Sequence, residues 1–292
     1  MPLQIIEAKP QSTLSATTTV VTPHHQPSLL QGLRQLWERR QLVGIMVYRD
    51  LIGRYKGSLM GAFWPVINPL GHLLLYTFVF NVILHVKFTK NPSAANFALY
   101  FMTGLIPWGA FSEAVSRSTT AILEAPNLVK RVVFPVEVLP LALVLSGVLS
   151  QTIAASVLLV AVSFSGCALT WKLALLPAVV LSQALFTCGL CWFLSALGVY
   201  LRDLKHVLAL VLSAWMFTTP IVYPASSFPA NLQFVLWLNP MAGVVSDYRR
   251  VILEGHMPYW PMYCTYTAIG VFVALFGFTF FYKTKRSFAD VM

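Results

Sequence analysis

Charge is scarce in this sequence. Asp, Glu, Lys and Arg make up 10% of its 292 residues, where a soluble domain carries about a quarter. The acidic residues number ten. They are dispersed, and no Asp-x-Asp pair is present to hold a metal-bound nucleotide sugar, which argues against a membrane glycosyl- or acyltransferase. The six histidines form no ligand cluster, so no metal site is implied. Four cysteines lie in or beside apolar runs; Cys188 and Cys191 have C-x-x-C spacing but sit inside a hydrophobic segment, where sulfur serves as a small packing group. A phosphate-binding loop is also missing. The one glycine pair with its spacing, Gly104 and Gly109, is followed by Ala110 and Phe111, not Lys-Ser/Thr. Buried carboxylates and histidines in relay, which proton coupling needs, are absent too. Catalysis, ATP binding and proton coupling by this chain are all disfavoured, and no cofactor is expected on it.

Hydrophobic residues, in contrast, reach 57% and mean hydropathy is +0.71. A bilayer core about 30 Å thick takes roughly 20 apolar residues per helix. Six candidate spans meet this, at 63–86, 97–120, 137–165, 171–200, 207–223 and 261–282. The formal net charge of +10 is distributed unevenly. With the N-terminus inside, Arg34, Arg39, Arg40, Arg49, Arg54, Lys56, Arg117, Lys130, Arg131, Arg202, Lys205, Lys283, Lys285 and Arg286 fall in the cytoplasm. Only Lys87, Lys90, Lys172, Arg249 and Arg250 fall outside. The positive-inside rule selects this topology, with both termini cytoplasmic. No separate basic domain exists to bind nucleic acid.

The segments around the spans differ in character. Residues 1–28, rich in Thr, Ser, Gln and Pro, read as a disordered cytoplasmic tail with no secretory pattern. Residues 29–56 read as a basic amphipathic helix lying in the interface: Arg34, Glu38 and Gln41 share one face and Leu36, Val43, Val47 and Leu51 another. Gly53, Gly57 and Gly61 follow, as a stripe for close helix approach or as a flexible elbow. The spanning domain covers 57–283, and 284–292 forms a short cytoplasmic tail. Within it, loop 121–136 is bounded by Pro126 and Pro135, with Asn127, Leu128, Val129, Lys130 and Arg131 able to form one short helix. Residues 224–260 are external yet too apolar for a free loop, which suggests short re-entrant helices beside a water-filled cavity.

Two groups of side chains are candidates for function. Glu113 and Arg117 stand one helical turn apart near the inner end of the second span, as a gate pair or as an interfacial pair reaching the headgroups. Tyr76, Phe78, Phe80, Trp215 and Phe217 lie deep in spans, where they pack or face lipid, or form a surface on which sugar rings stack and slide.

Sequence fragments in a fixed order carry a family resemblance. They are Arg49-Asp50-Leu51, Arg54-Tyr55-Lys56-Gly57-Ser58-Leu59-Met60-Gly61, Trp64-Pro65, Asn68-Pro69-Leu70, Asn127-Leu128-Val129-Lys130, Phe134-Pro135, Glu137-Val138-Leu139-Pro140, Arg202-Asp203-Leu204 and Asn239-Pro240. Over residues 30–286 the chain resembles ABC exporter permeases of the type-2 class, the branch exporting O-antigen, capsule or teichoic-acid polymers. The resemblance implies an all-α integral membrane protein of the bacterial inner membrane: six transmembrane helices, an N-terminal interface helix and external re-entrant helices. It implies a homodimer bound to two separate ATPase subunits, which hold the ATP and Mg, and a lipid-linked glycan as substrate. On this likeness the helix bearing Arg39, Arg40, Arg49, Arg54 and Lys56 and the segment Asn127–Arg131 rest on the ATPase, and the deep aromatics line the channel. A type-2 permease for another lipid or drug shares the topology but usually lacks the block from Arg54 to Leu70.

Overall fold

The computed structural model describes residues 34, 36–83, 97–129, 134–165 and 169–288. The expected tail 1–28, Lys90, Lys130, Arg131 and the side chains of Phe80 and Val129 lie outside what is described. The elements are α1 (Arg40–Tyr55), α2 (Trp64–Thr77) with a π-helical extension (Phe78–Ile83), α3 (Phe97–Ser118), α4 (Pro126–Val129), α5 (Val138–Phe164), α6 (Leu176–Tyr200), α7 (Leu204–Thr218), α8 (Gln233–Leu238), α9 (Pro240–Ile252) and α10 (Trp260–Thr284). Among the described residues there is no strand.

Three of these helices are long and apolar enough to cross a membrane: α5, α6 with its 3-10 lead-in (Trp171–Tyr200), and α10. At about 1.5 Å per residue the shortest of them, with 25 residues, exceeds the ~30 Å hydrocarbon core. The remaining expected spans are less regular. Helix α3 contains Pro107 and the charged Glu113 and Arg117. Helix α7 stops at Thr218, short of the expected 223. The cause is Pro220, which has no N–H to donate and drives Thr219 into extended backbone, φ −96 and ψ 130.

Contacts between helix ends show how the chain alternates. Glu137, just before α5, pairs with Lys285, just after α10, at 3.2 Å. Gly198 near the end of α6 abuts the Thr119 backbone just after α3. At the opposite end, Lys172 before α6 donates to the Gly255 carbonyl ahead of α10 at 2.7 Å, and Arg249 of α9 donates to Ile221 after α7 at 2.7 Å. Helices α3, α6 and α10 therefore run one way, and α5 and α7 the other. Tyr76 late in α2 meets Phe101 early in α3, ring centroids 4.6 Å apart, so α2 runs against α3.

Helices α6 and α10 make the closest pair, because Gly189 and Gly277 remove the side chains between them; a methyl on either would run into the other helix's backbone. Helix α3 sits centrally, its Phe111, Ala114 and Val115 buried. Helices α2 and α7 are the opposite case. Only Pro69 of α2 and Leu208 and Leu212 of α7 are buried, while Leu74, Leu210 and Phe217 are exposed.

On the N-terminal helix Leu36, Val43 and Val47 are buried and Leu51 is half-buried, while Arg34 pairs with Glu38 in the open at 2.9 Å. Among the described residues nothing stands within 4 Å of where a Cβ would be on Gly53, Gly57 or Gly61, and Gly57 and Gly61 adopt φ of +83 and +45, a region costly for residues with a Cβ, which favours the elbow. Within the expected C-terminal tail, Phe288 is buried against Phe281, centroids 5.5 Å apart.

Candidate functional site

Polar groups are few enough that those in the bundle stand out, and they gather at its two ends and its middle. At the end where α3 finishes, Glu113 and Arg117 form the expected pair, 3.5 Å apart, but within a larger cluster. Arg54 of α1 reaches Glu113 at 2.5 Å and Asp50 at 3.0 Å, and Arg117 also grips Asp50. Ser146 of α5 completes the set, donating to Asp50 at 2.6 Å and accepting from Arg54 at 3.0 Å. Two cations and two anions cancel, and three elements are tied at one point. Burial raises the Asp50 carboxyl, but the hydrogen bonds from Arg117 and Ser146 and the adjacent arginine charges outweigh it, so Asp50 titrates below the usual carboxylate range. Spacing along the chain revealed Glu113–Arg117 because both lie on one helix; Asp50 and Ser146 are joined to them only by packing.

In the middle, Gln151 of α5 and Gln183 of α6 exchange hydrogen bonds at 2.9 and 3.1 Å. Gln183 also donates to the Pro107 carbonyl at 2.9 Å, and Gln151 to the Tyr248 hydroxyl of α9. This network pins α9 to the bundle.

At the far end, α9 holds the terminus of α7. Asn239 caps α9 by accepting from Met241 N at 3.1 Å, with Pro240 at the first helical position. The same Asn239 accepts from the Trp215 indole at 2.9 Å and donates to Thr219 at 3.0 Å. Arg249, placed outside by the charge asymmetry, is not free in solvent: the residue is only 5% exposed. Its guanidinium donates to the carbonyls of Pro220 and Ile221, which the proline break leaves without helical donors, and lies 3.6 Å from the Tyr100 ring centroid. Gly104 gives it room, for a Cβ there would stand 3.1 Å from the guanidinium.

The candidate aromatics separate by setting. Trp215 is wedged edge-on against Phe111 at 5.3 Å and Phe186 at 6.1 Å, and Tyr76 is half-buried, stacked on His72 at 5.9 Å. Phe78 and Phe217 are 54% and 67% exposed. In the loop after α3, α4 is a single turn; Asn127 is exposed and Leu128 packs on the core. Of the basic helix residues, Arg39, Arg40, Arg49 and Lys56 are exposed while Arg54 is drawn into the cluster. Cys188 and Cys191 are buried and unpaired, consistent with packing. Among the described residues no group of His, Cys, Asp and Glu could hold a metal ion.

The described polar groups thus tie the helices of a membrane protein together, while α2 and α7 stay largely exposed. The chain belongs to the ABC-2 type transporter family, which matches residues 41–253. It is 31% identical to the O-antigen export system permease protein RfbA of Myxococcus xanthus, over 90% of this chain and 99% of that protein. Identity to the RfbA permease of Klebsiella pneumoniae is 27%, covering 86% and 95%. For the polysialic acid transport protein KpsM of Escherichia coli it is 24%, covering 84% and 93%.

Proposed function

We propose that this chain is the membrane-spanning subunit of an ATP-driven exporter of a bacterial polysaccharide, of the O-antigen kind, in the inner membrane. The observation that carries the reading is similarity, over 84–90% of the chain, to permeases named for O-antigen and polysialic acid export. Without a phosphate-binding loop of its own, the chain draws energy from a separate ATPase, two copies serving a homodimer. Its six spans are α2 with its π extension, α3, α5, α6, α7 and α10, and the region of α8 and α9 is re-entrant from outside. The alternating helix ends described above, together with the Lys and Arg asymmetry, support this topology with both termini cytoplasmic.

The exposed apolar faces of α2 and α7 suit the dimer interior. There Phe78 and Phe217 present rings to the passing glycan, and Tyr76 and Trp215 back them. Helix α1 and the turn Asn127–Val129 receive the ATPase, and the cluster of Asp50, Arg54, Glu113 and Arg117 relays displacement of α1 to α3 and α5. The reading is tested by deleting the gene in its host and probing the polymer. Loss of surface glycan with lipid-linked polymer trapped inside, restored by the wild-type gene, is the expected result. Unchanged surface glycan overturns the reading.

A further inference from the structure

Between α1 and α5 runs an open apolar groove, walled by Val43 and Val47 on one side and by Leu141, Leu145 and Val148 on the other. Gly44 faces it with no side chain, and among the described residues nothing stands within 4 Å of where a Cβ would be. The α5 wall lies within roughly 17 Å of that helix's start, at about 1.5 Å per residue, which is about the depth of one leaflet's acyl region. At the α1 wall the chemistry changes. Trp37 is 73% exposed, and the Arg40 guanidinium, also lining the groove, lies 6.0 Å from its ring centroid. Arg39 beside it is exposed and has no acidic partner among the described ion pairs.

We infer that this groove is a binding site for one bilayer phospholipid with an anionic headgroup, its acyl chain in the cleft and its phosphate against Arg40. The inference goes beyond glycan export and needs only that α5 spans the bilayer. The apolar wall continues into the exposed apolar surface of α5 at Leu149, so the groove opens to acyl chains. An indole and a guanidinium together at one wall match the headgroup region. The complementary charge is what selects among lipids, because an apolar cleft alone does not distinguish headgroups.

The purified full chain in nanodiscs tests this, with brominated acyl chains on phosphatidylglycerol or phosphatidylcholine as fluorescence quenchers. Subtracting the Trp37→Phe signal isolates Trp37. Half-maximal quenching of Trp37 should need roughly fivefold less phosphatidylglycerol than phosphatidylcholine. Arg40→Gln should erase that preference, and Gly44→Leu, which fills open space and suits a helix, should bring phosphatidylglycerol down to the phosphatidylcholine level. Equal quenching by the two lipids, or no quenching of Trp37 by either, overturns the site. So does a preference that survives both substitutions, or displacement of phosphatidylglycerol by an equimolar polyprenyl phosphate. Size exclusion and helical circular dichroism confirm that each variant is folded.

Discussion

Arg249 is a buried cation whose partners are supplied by a helix break. A cation near a membrane surface is ordinarily solvated, yet this one is sunk among Pro220, Ile221, Tyr100 and Gly104. Arg249→Ala leaves two carbonyls without donors, at about 1–3 kcal/mol each. It should lower the thermal midpoint of the purified protein; an unchanged midpoint would show that the carbonyls find water instead. Arg249→Lys cannot fork to both carbonyls and should recover only part of the loss. Cysteine placed at 249 should resist external labelling in intact cells. At the opposite end, the lowered pKa of Asp50 gives a pH signature. A carboxyl depressed in the folded state adds stability that is complete above its unfolded value, about 3.9. That stability is lost as pH falls through the lower folded value. Asp50→Asn should therefore lose about 1.5–3 kcal/mol at neutral pH and show a flatter stability profile below about pH 4, measured by thermal unfolding in detergent.

Among the elements, α6 with α10 and α2 with α7 stand at opposite extremes. Gly277→Ala forces a methyl into the Gly189 carbonyl and should cost about 1–3 kcal/mol by overpacking, read as reduced folded protein in the membrane. Helix α7 is held mainly at its Pro220 end by Asn239 and Arg249. Its exposed Phe217 should therefore tolerate Ala with normal folded protein but reduced export. Trp215→Ala, which removes a wedge between Phe111 and Phe186, should reduce both together. Proportional loss for Phe217→Ala as well would mark it as a packing residue. The turn Pro126–Val129 is bounded by the sequence's own prolines; Val129→Pro should break it and uncouple ATP hydrolysis from export. Full export by that variant would remove the segment from the coupling path.

At the scale of the molecule, the order of apolar runs was readable because a bilayer demands length and hydrophobicity, and α5, α6 and α10 meet both without exception. The spacing of Leu36, Val43, Val47 and Leu51 put them on one face of the N-terminal helix, and the first three are buried there. What stayed hidden is what a one-dimensional pattern does not encode. Asp50 meets Arg117 and Ser146 across long separations, Asn239 serves a cap and an indole at once, and Arg249 sits where only the break at Pro220 explains it. The aromatic candidates were all visible as residues, but whether a ring is wedged or exposed depends on which neighbour faces it.

ATP-driven movement of a polysaccharide through this chain can be followed in a reconstituted system. The permease and the proposed ATPase would be placed in proteoliposomes with the lipid-linked polymer in the leaflet facing the ATPase. The polymer's exposure on the opposite side would then be followed with an impermeant glycosidase. ATP-dependent appearance of cleavable polymer on the far side, abolished when the permease is omitted, is the expected result. Polymer that stays protected while the complex hydrolyses ATP, or that crosses equally well without ATP, would contradict it.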